Sequence, residues 1–153
     1  MVNLRQDFKT FLDESIKKKD SLAISTVRLI LAAIKDRDIE FRAKNEDNEI
    51  SEPDILNLLQ NMIKQRRESV KIYADAGRQE LKDRENKEIE IIESFLPKQI
   101  SEDELKKIIS ELCSEIQAKT IKDLGKVINL LKERYPGQLD FKVAAGIAKS
   151  NLT

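Results

Sequence analysis

SEPDILNLLQNMIKQRRESVKIYADAGRQELKDRENKEIEIIESFLP, residues 51–97, is the stretch whose reading decides the fold. Ser51 is placed to cap a helix, with Asp54 three residues on and Pro53 in the first turn, where its missing N–H costs nothing. Ile55, Leu58, Leu59, Met62, Ile63, Val70 and Tyr73 then recur at helical spacing. Gly77 offers the left-handed position that lets the chain turn back. Leu81, Ile89, Ile92, Phe95 and Leu96 repeat the pattern until Pro97 stops it. The stretch reads as two long amphipathic helices joined at Gly77.

Working outward, Leu4, Phe8, Phe11, Leu12 and Ile16 mark one face of a first helix, which the run Lys17 to Lys19 ends with charge suited to a helix C-terminus. Asp20 or Ser21 can cap a second helix. Its stripe of Ile24, Val27, Leu31, Ile34 and Phe41 is long enough to lie along the central hairpin. KNEDNE, residues 44–49, has no apolar residue and reads as the returning loop. Beyond Pro97, Ser101 with Glu104 and Thr120 with Asp123 are two further capping pairs. Each precedes an apolar stripe, Leu105 to Ile116 and Ile121 to Leu131. Tyr135-Pro136-Gly137 breaks the second of these helices, and Asp140 caps a last helix rich in small residues.

Charged residues make up 37% of the 153 and aromatics 5%, with only four glycines, which favours helices over a sandwich or barrel. The expected fold is therefore all-α. It comprises an N-terminal bundle of four helices over residues 1–97, containing the long hairpin, and a small three-helix module over residues 101–153. Lys plus Arg equals Asp plus Glu at 28 each, so binding to nucleic acid or membrane must come from a local patch. One cysteine excludes an internal disulfide, and neither a secretory leader nor a bilayer-spanning run is visible. A cytoplasmic protein is expected. The lack of histidine removes the usual general base, the Ser-His and Cys-His arrangements and the commonest metal ligand. No metal, cofactor or catalytic residue is expected.

Several residues nevertheless break the apolar pattern. At about 100° per residue, Arg66, Asp38, Glu85 and Glu88 all fall on the apolar stripes of their helices, and charges at core positions are rarely unpaired. They read as a carboxylate cluster held by an arginine or, preferably, as a buried ion-pair network that fixes helix register. Lys64, Arg67, Lys71 and Arg78 are interleaved with Glu68, Asp75 and Glu80 and read as a solvated face. Cys113 has no activating neighbour and reads as a small core residue. From Lys119 onward the balance turns basic. Lys122, Lys126 and Asn129 lie opposite an apolar stripe, with Gly125 beside them at a cost of about 1 kcal/mol relative to alanine. That glycine fits either close approach of a phosphate backbone or close helix packing.

VRLILAAIKDRDIE (27–40), MIKQRRESV (62–70), AGRQEL (76–81), FLPKQISEDEL (95–105), DLGKVINLL (123–131) and DFKVAAGIAKSNL (140–152) together resemble the YqeY family over essentially the whole chain. That family is similar to the C-terminal part of the GatB subunit of tRNA-dependent amidotransferases. The resemblance implies a link to glutamine-dependent amidation of aminoacyl-tRNA, a carbon–nitrogen ligase activity whose chemistry resides on other parts of that complex. It also implies that Gly125, Lys126 and Lys142 face RNA. The expected partner is tRNA or a tRNA–amidotransferase complex; the alternative is a helical protein-interaction module with no RNA role.

Overall fold

A computed structural model describes residues 3–44 and 49–152. The described residues are helical, with no strand: α1 (Leu4–Lys17), α2 (Ser21–Lys44), α3 (Glu52–Asp75), α4 (Gln79–Glu93), α5 (Glu102–Glu115), α6 (Leu124–Arg134) and α7 (Phe141–Asn151). A 3₁₀ turn, Ile121–Asp123, leads into α6. The chain divides into two compact units, Met1–Leu96 and Pro97–Thr153. The loop expected across KNEDNE falls mostly on residues 45–48, which lie outside the described residues.

The first unit is built on the α3–α4 hairpin. Ser51 caps α3 through its side chain, and Asp54 reaches back to the Ser51 N–H, a reciprocal box. α3 ends in a Schellman motif: Gly77 sits at φ +69°, the Arg78 N–H reaches the Tyr73 carbonyl at 2.8 Å, and the Gly77 N–H reaches that of Ala74. The core at the hairpin's base gathers Leu4 and Phe8 of α1, Val27, Ile30 and Ile34 of α2, Ile55 to Ile63 of α3, and Ile89 and Ile92 of α4. Each fully buried member contributes roughly 1.5–3 kcal/mol. Phe95 closes this end, with Phe8 and Phe11 edge-on to it at 4.8 and 5.1 Å.

The hairpin runs on beyond its core. No residue from 64 to 87 is buried, Val70 and Tyr73 are only half-covered, and Leu81, expected on the apolar stripe, is exposed. α1, at 14 residues, is too short to follow the 24 of α3, and the hairpin's two arms pack most extensively on each other. Ile16, expected on the α1 stripe, is likewise exposed at that helix's last turn.

The second unit packs α5, α6 and α7 around Leu105, Ile109, Leu112, Val127, Leu131 and Leu139. Ala144 and Ala148 are fully buried on α7, and their small side chains let that helix lie close. The Ile100 N–H donates to the Gln138 carbonyl and the Gln99 side chain to that of Gly137, so the segment after Pro97 is tied to this unit. Asp123 accepts from the Lys119 and Thr120 N–H groups, fixing the 3₁₀ turn. The sixth helix consequently begins at Leu124, three residues later than the capping pair suggested, and Ile121 points outward.

Two more helices end in the same motif as α3 but without glycine. Lys19 (φ 56°) and Gln117 (φ 56°) occupy the left-handed position, with the Asp20 N–H on the Ser15 carbonyl and the Ala118 N–H on that of Cys113. Lys19→Gly and Gln117→Gly should each stabilise by about 0.5–1 kcal/mol, whereas Gly77→Ala should cost about 1 kcal/mol. A Cβ at Gly77 would meet nothing within 4 Å, so its loss is purely a backbone effect. Urea midpoints of the three variants check the sign of each.

Candidate nucleic-acid interface

The charged residues on apolar stripes form two separate nodes in the first unit. At one, Arg66 donates from Nε to Glu88 Oε2 at 3.1 Å, and Arg84 Nε lies 3.4 Å from Glu88 Oε1. Arg66 and Glu88 side chains are 15% and 10% exposed. Glu85 completes the group: its Oε2 is 4.0 Å from Arg66 Nε, a Coulombic contact too long for a hydrogen bond, and that oxygen is buried without a hydrogen-bond partner. Burial, and then the neighbouring Glu88, push the Glu85 carboxyl above its ordinary range, against the pull of Arg66 and Arg84.

Asp38 does not join that node. It pairs instead with Arg5, whose two terminal nitrogens reach the two carboxylate oxygens at 2.9 Å each, and it accepts the Ile50 N–H at 2.9 Å. The Arg5 hydrogen bonds hold the Asp38 carboxyl below its usual range, more strongly than burial raises it. Arg5 was overlooked in the sequence although it sits between Leu4 and Phe8 on the α1 stripe. The rule that singled out Arg66, a charge in the middle of a stripe, passes over a residue at the edge.

The basic residues of the second unit lie on its surface. Lys122 is in the 3₁₀ turn, Gly125, Lys126 and Asn129 are on α6, and all four are exposed on the side away from the buried Val127 and Leu131. Lys142 is exposed on the first turn of α7, the helix packed on α6. The ion pairs described in this unit are Glu102–Lys106 and the two-pronged Glu115–Arg134, which leaves Lys122, Lys126 and Lys142 without a carboxylate within 4 Å among the described residues. Lys132 is used differently, its Nζ standing 5.7 Å over the Phe141 ring. A Cβ built at Gly125 would meet nothing within 4 Å, so close helix packing within this unit does not require the glycine. Cys113 is buried in the core, and burial followed by the Asp123 charge push its thiol up, the opposite of what a nucleophile needs.

The family model described as Yqey-like protein matches residues 3–152. The chain belongs to the YqeY family. This is a helical family related to GatB, which agrees with the all-helical structure. Among curated proteins, the YqeY chain is 31% identical over 158 residues to the Lachancea thermotolerans protein named altered inheritance of mitochondria protein 41, mitochondrial, covering 99% of this chain and 78% of that one. Proteins of the same name from Vanderwaltozyma polyspora and Clavispora lusitaniae are 26% and 28% identical. Those matches cover 63% and 75% of this chain, and 48% and 65% of the relatives. These names overturn the cytoplasmic expectation. A single cysteine bears on disulfides, and it does not separate the cytoplasm from an organelle interior. Among the described residues no helix is long and apolar enough to cross a membrane.

Two outcomes test the Arg66 node. Arg66→Ala should destabilise by about 2–4 kcal/mol, because it leaves Glu88 with Arg84 alone and takes from Glu85 its nearest cation, while Arg66→Met should cost less by keeping the packing. Thermal or urea unfolding reads both. For Glu85 the folded-state carboxyl binds its proton more tightly than the unfolded one, so its ionisation erodes stability as pH rises through and above the ordinary glutamate range. Glu85→Gln should therefore raise the melting temperature at pH 7 and lose that advantage near pH 4.

Proposed function

We propose that this YqeY protein is a binding module that contacts tRNA, or a tRNA–amidotransferase complex, through the exposed strip Lys122, Gly125, Lys126 and Asn129, with Lys142 on the neighbouring helix. The observation that carries the reading is the open space over Gly125. Gly125 is the second residue of α6, where glycine costs up to about 1 kcal/mol relative to alanine, and nothing in its own unit explains that cost. Bare backbone flanked by lysines without carboxylate partners is suited to phosphate, whose contacts position a nucleic acid without reading its sequence. Carbon–nitrogen ligase chemistry using glutamine as donor then belongs to a partner, because this chain offers no histidine and a buried, unactivated cysteine. The alternative, docking of a protein by the same unit without RNA, draws on the exposed Ile121 and Val143.

Only a few lysines can reach phosphates at once, and a neutral chain provides no long-range steering. With three or four phosphates neutralised, a log-log salt plot of tRNA affinity should have a slope of about −2 to −4. Lys122→Glu combined with Lys126→Glu should weaken binding to all tRNAs alike. Gly125→Leu should lower tRNA affinity without lowering the melting temperature. Gly146→Ala, also facing open space on α7, should stabilise by about 0.5–1 kcal/mol. Unchanged affinity in the double lysine variant, or no binding at low salt, favours the protein-docking reading.

A further inference from the structure

α2 has a second face that the fold leaves uncovered. Its buried residues, among them Val27, Ile30 and Ile34, point into the core. Diametrically opposite, Leu29 is 50% and Ile39 55% exposed, and Ala32 lies open between them. Arg28, Lys35 and Asp36 border this apolar strip, all exposed. Arg28 and Asp36 have no ion-pair partner among the described residues. At about 100° per residue, all six side chains fall within roughly 60° of Ala32.

The strip is complementary to itself in one orientation. Arg28 stands four residues before Ala32 and Asp36 four residues after it, so their Cα atoms lie about 6 Å to either side. We propose that this face of α2 docks on the same face of a second copy of the chain, antiparallel, with the two-fold axis at Ala32. The arrangement is isologous. Arg28 then meets Asp36 of the second copy at both ends, and Leu29 lies under the aliphatic stem of Lys35 of the second copy. Ala32 on the axis lets the helices approach to the short end of the usual 8–10 Å. A parallel pairing would set Arg28 on Arg28 and Asp36 on Asp36, so the same charges select the orientation. One helix pair forms a small interface, so the dimer should be weak, with a dissociation constant on the order of 10–300 µM, and weaker still at high salt.

The charge arrangement supplies the test. By sedimentation at low salt from about 10 to about 500 µM, the parent chain should pass from monomer to dimer. Arg28→Asp alone and Asp36→Arg alone each place like charges together twice, and each should weaken self-association at least about tenfold. Mixed in equal amounts, the two variants restore both opposite-charge pairs and should dimerise within about threefold of the parent. Ala32→Cys should give a disulfide-linked dimer under mild oxidation, whereas Arg37→Cys, turned off the face, should not. All of these positions are exposed, and far-UV circular dichroism confirms that each variant is folded. A parent chain monomeric throughout, single variants that dimerise as well as the parent, or a mixture that stays monomeric would each overturn the proposal.

Discussion

The Asp38 carboxylate is the constraint on which the first unit's arrangement depends. A carboxylate placed on the core side of a helix must find donors or lose several kcal/mol to desolvation. Three hydrogen bonds answer it, two from Arg5 and one from the Ile50 N–H, and Arg5 also donates to the Ile50 carbonyl. One side chain of α2 thereby fixes α1 and the residue just ahead of the α3 cap. The Leu4 N–H, 3.4 Å from Glu52, adds a second tie between the same two ends. Because Arg5 depresses the Asp38 carboxyl, this node contributes stability above the ordinary aspartate range and loses it as pH falls through the folded value.

The Arg66 node behaves in the opposite sense. It sits where the core ends along the hairpin, and two carboxylates compete there for Arg66. Glu88 takes the hydrogen bond and Arg84 as well, so Glu85 is left with burial and a like charge. One node favours ionised carboxylate and the other resists it. Acidification should therefore loosen the α1–α2–α3 junction while relieving the middle of the hairpin.

What could be read from the sequence follows the range of each interaction. Ser51, Asp54, Pro53 and Gly77 announce the hairpin because caps and left-handed turns are settled within a few residues. Arg66 and Glu88 were identifiable because a charge on an apolar stripe needs a partner. The identity of the partner was not, since Asp38 could have met Arg66 on periodicity alone and meets Arg5 instead. The bare outer arm of the hairpin was illegible for a similar reason: Leu81 obeys the apolar spacing, but covering it depends on where another helix lies. Lys19 and Gln117 were missed because nothing in their side chains asks for positive φ; the Schellman bonds around them impose it.

Small residues in the second unit divide into two kinds, and the division bears on function. Ala144 and Ala148 are completely buried, where a larger side chain would push α7 off its neighbours, so packing accounts for them. Gly125 and Gly146 face open space, where an alanine would fit and would favour the helix. Fold stability therefore explains the first pair and argues against the second. Gly125 lies between Lys122 and Lys126, with the Asp123 carboxylate feeling the Lys126 charge in the same turn, and Gly146 lies between Lys142 and Lys149, so each open glycine has an exposed lysine within about a turn on either side. Glycine at these positions leaves backbone N–H and C=O groups uncovered, at a cost to the helix of up to about 1 kcal/mol that packing within the unit does not account for.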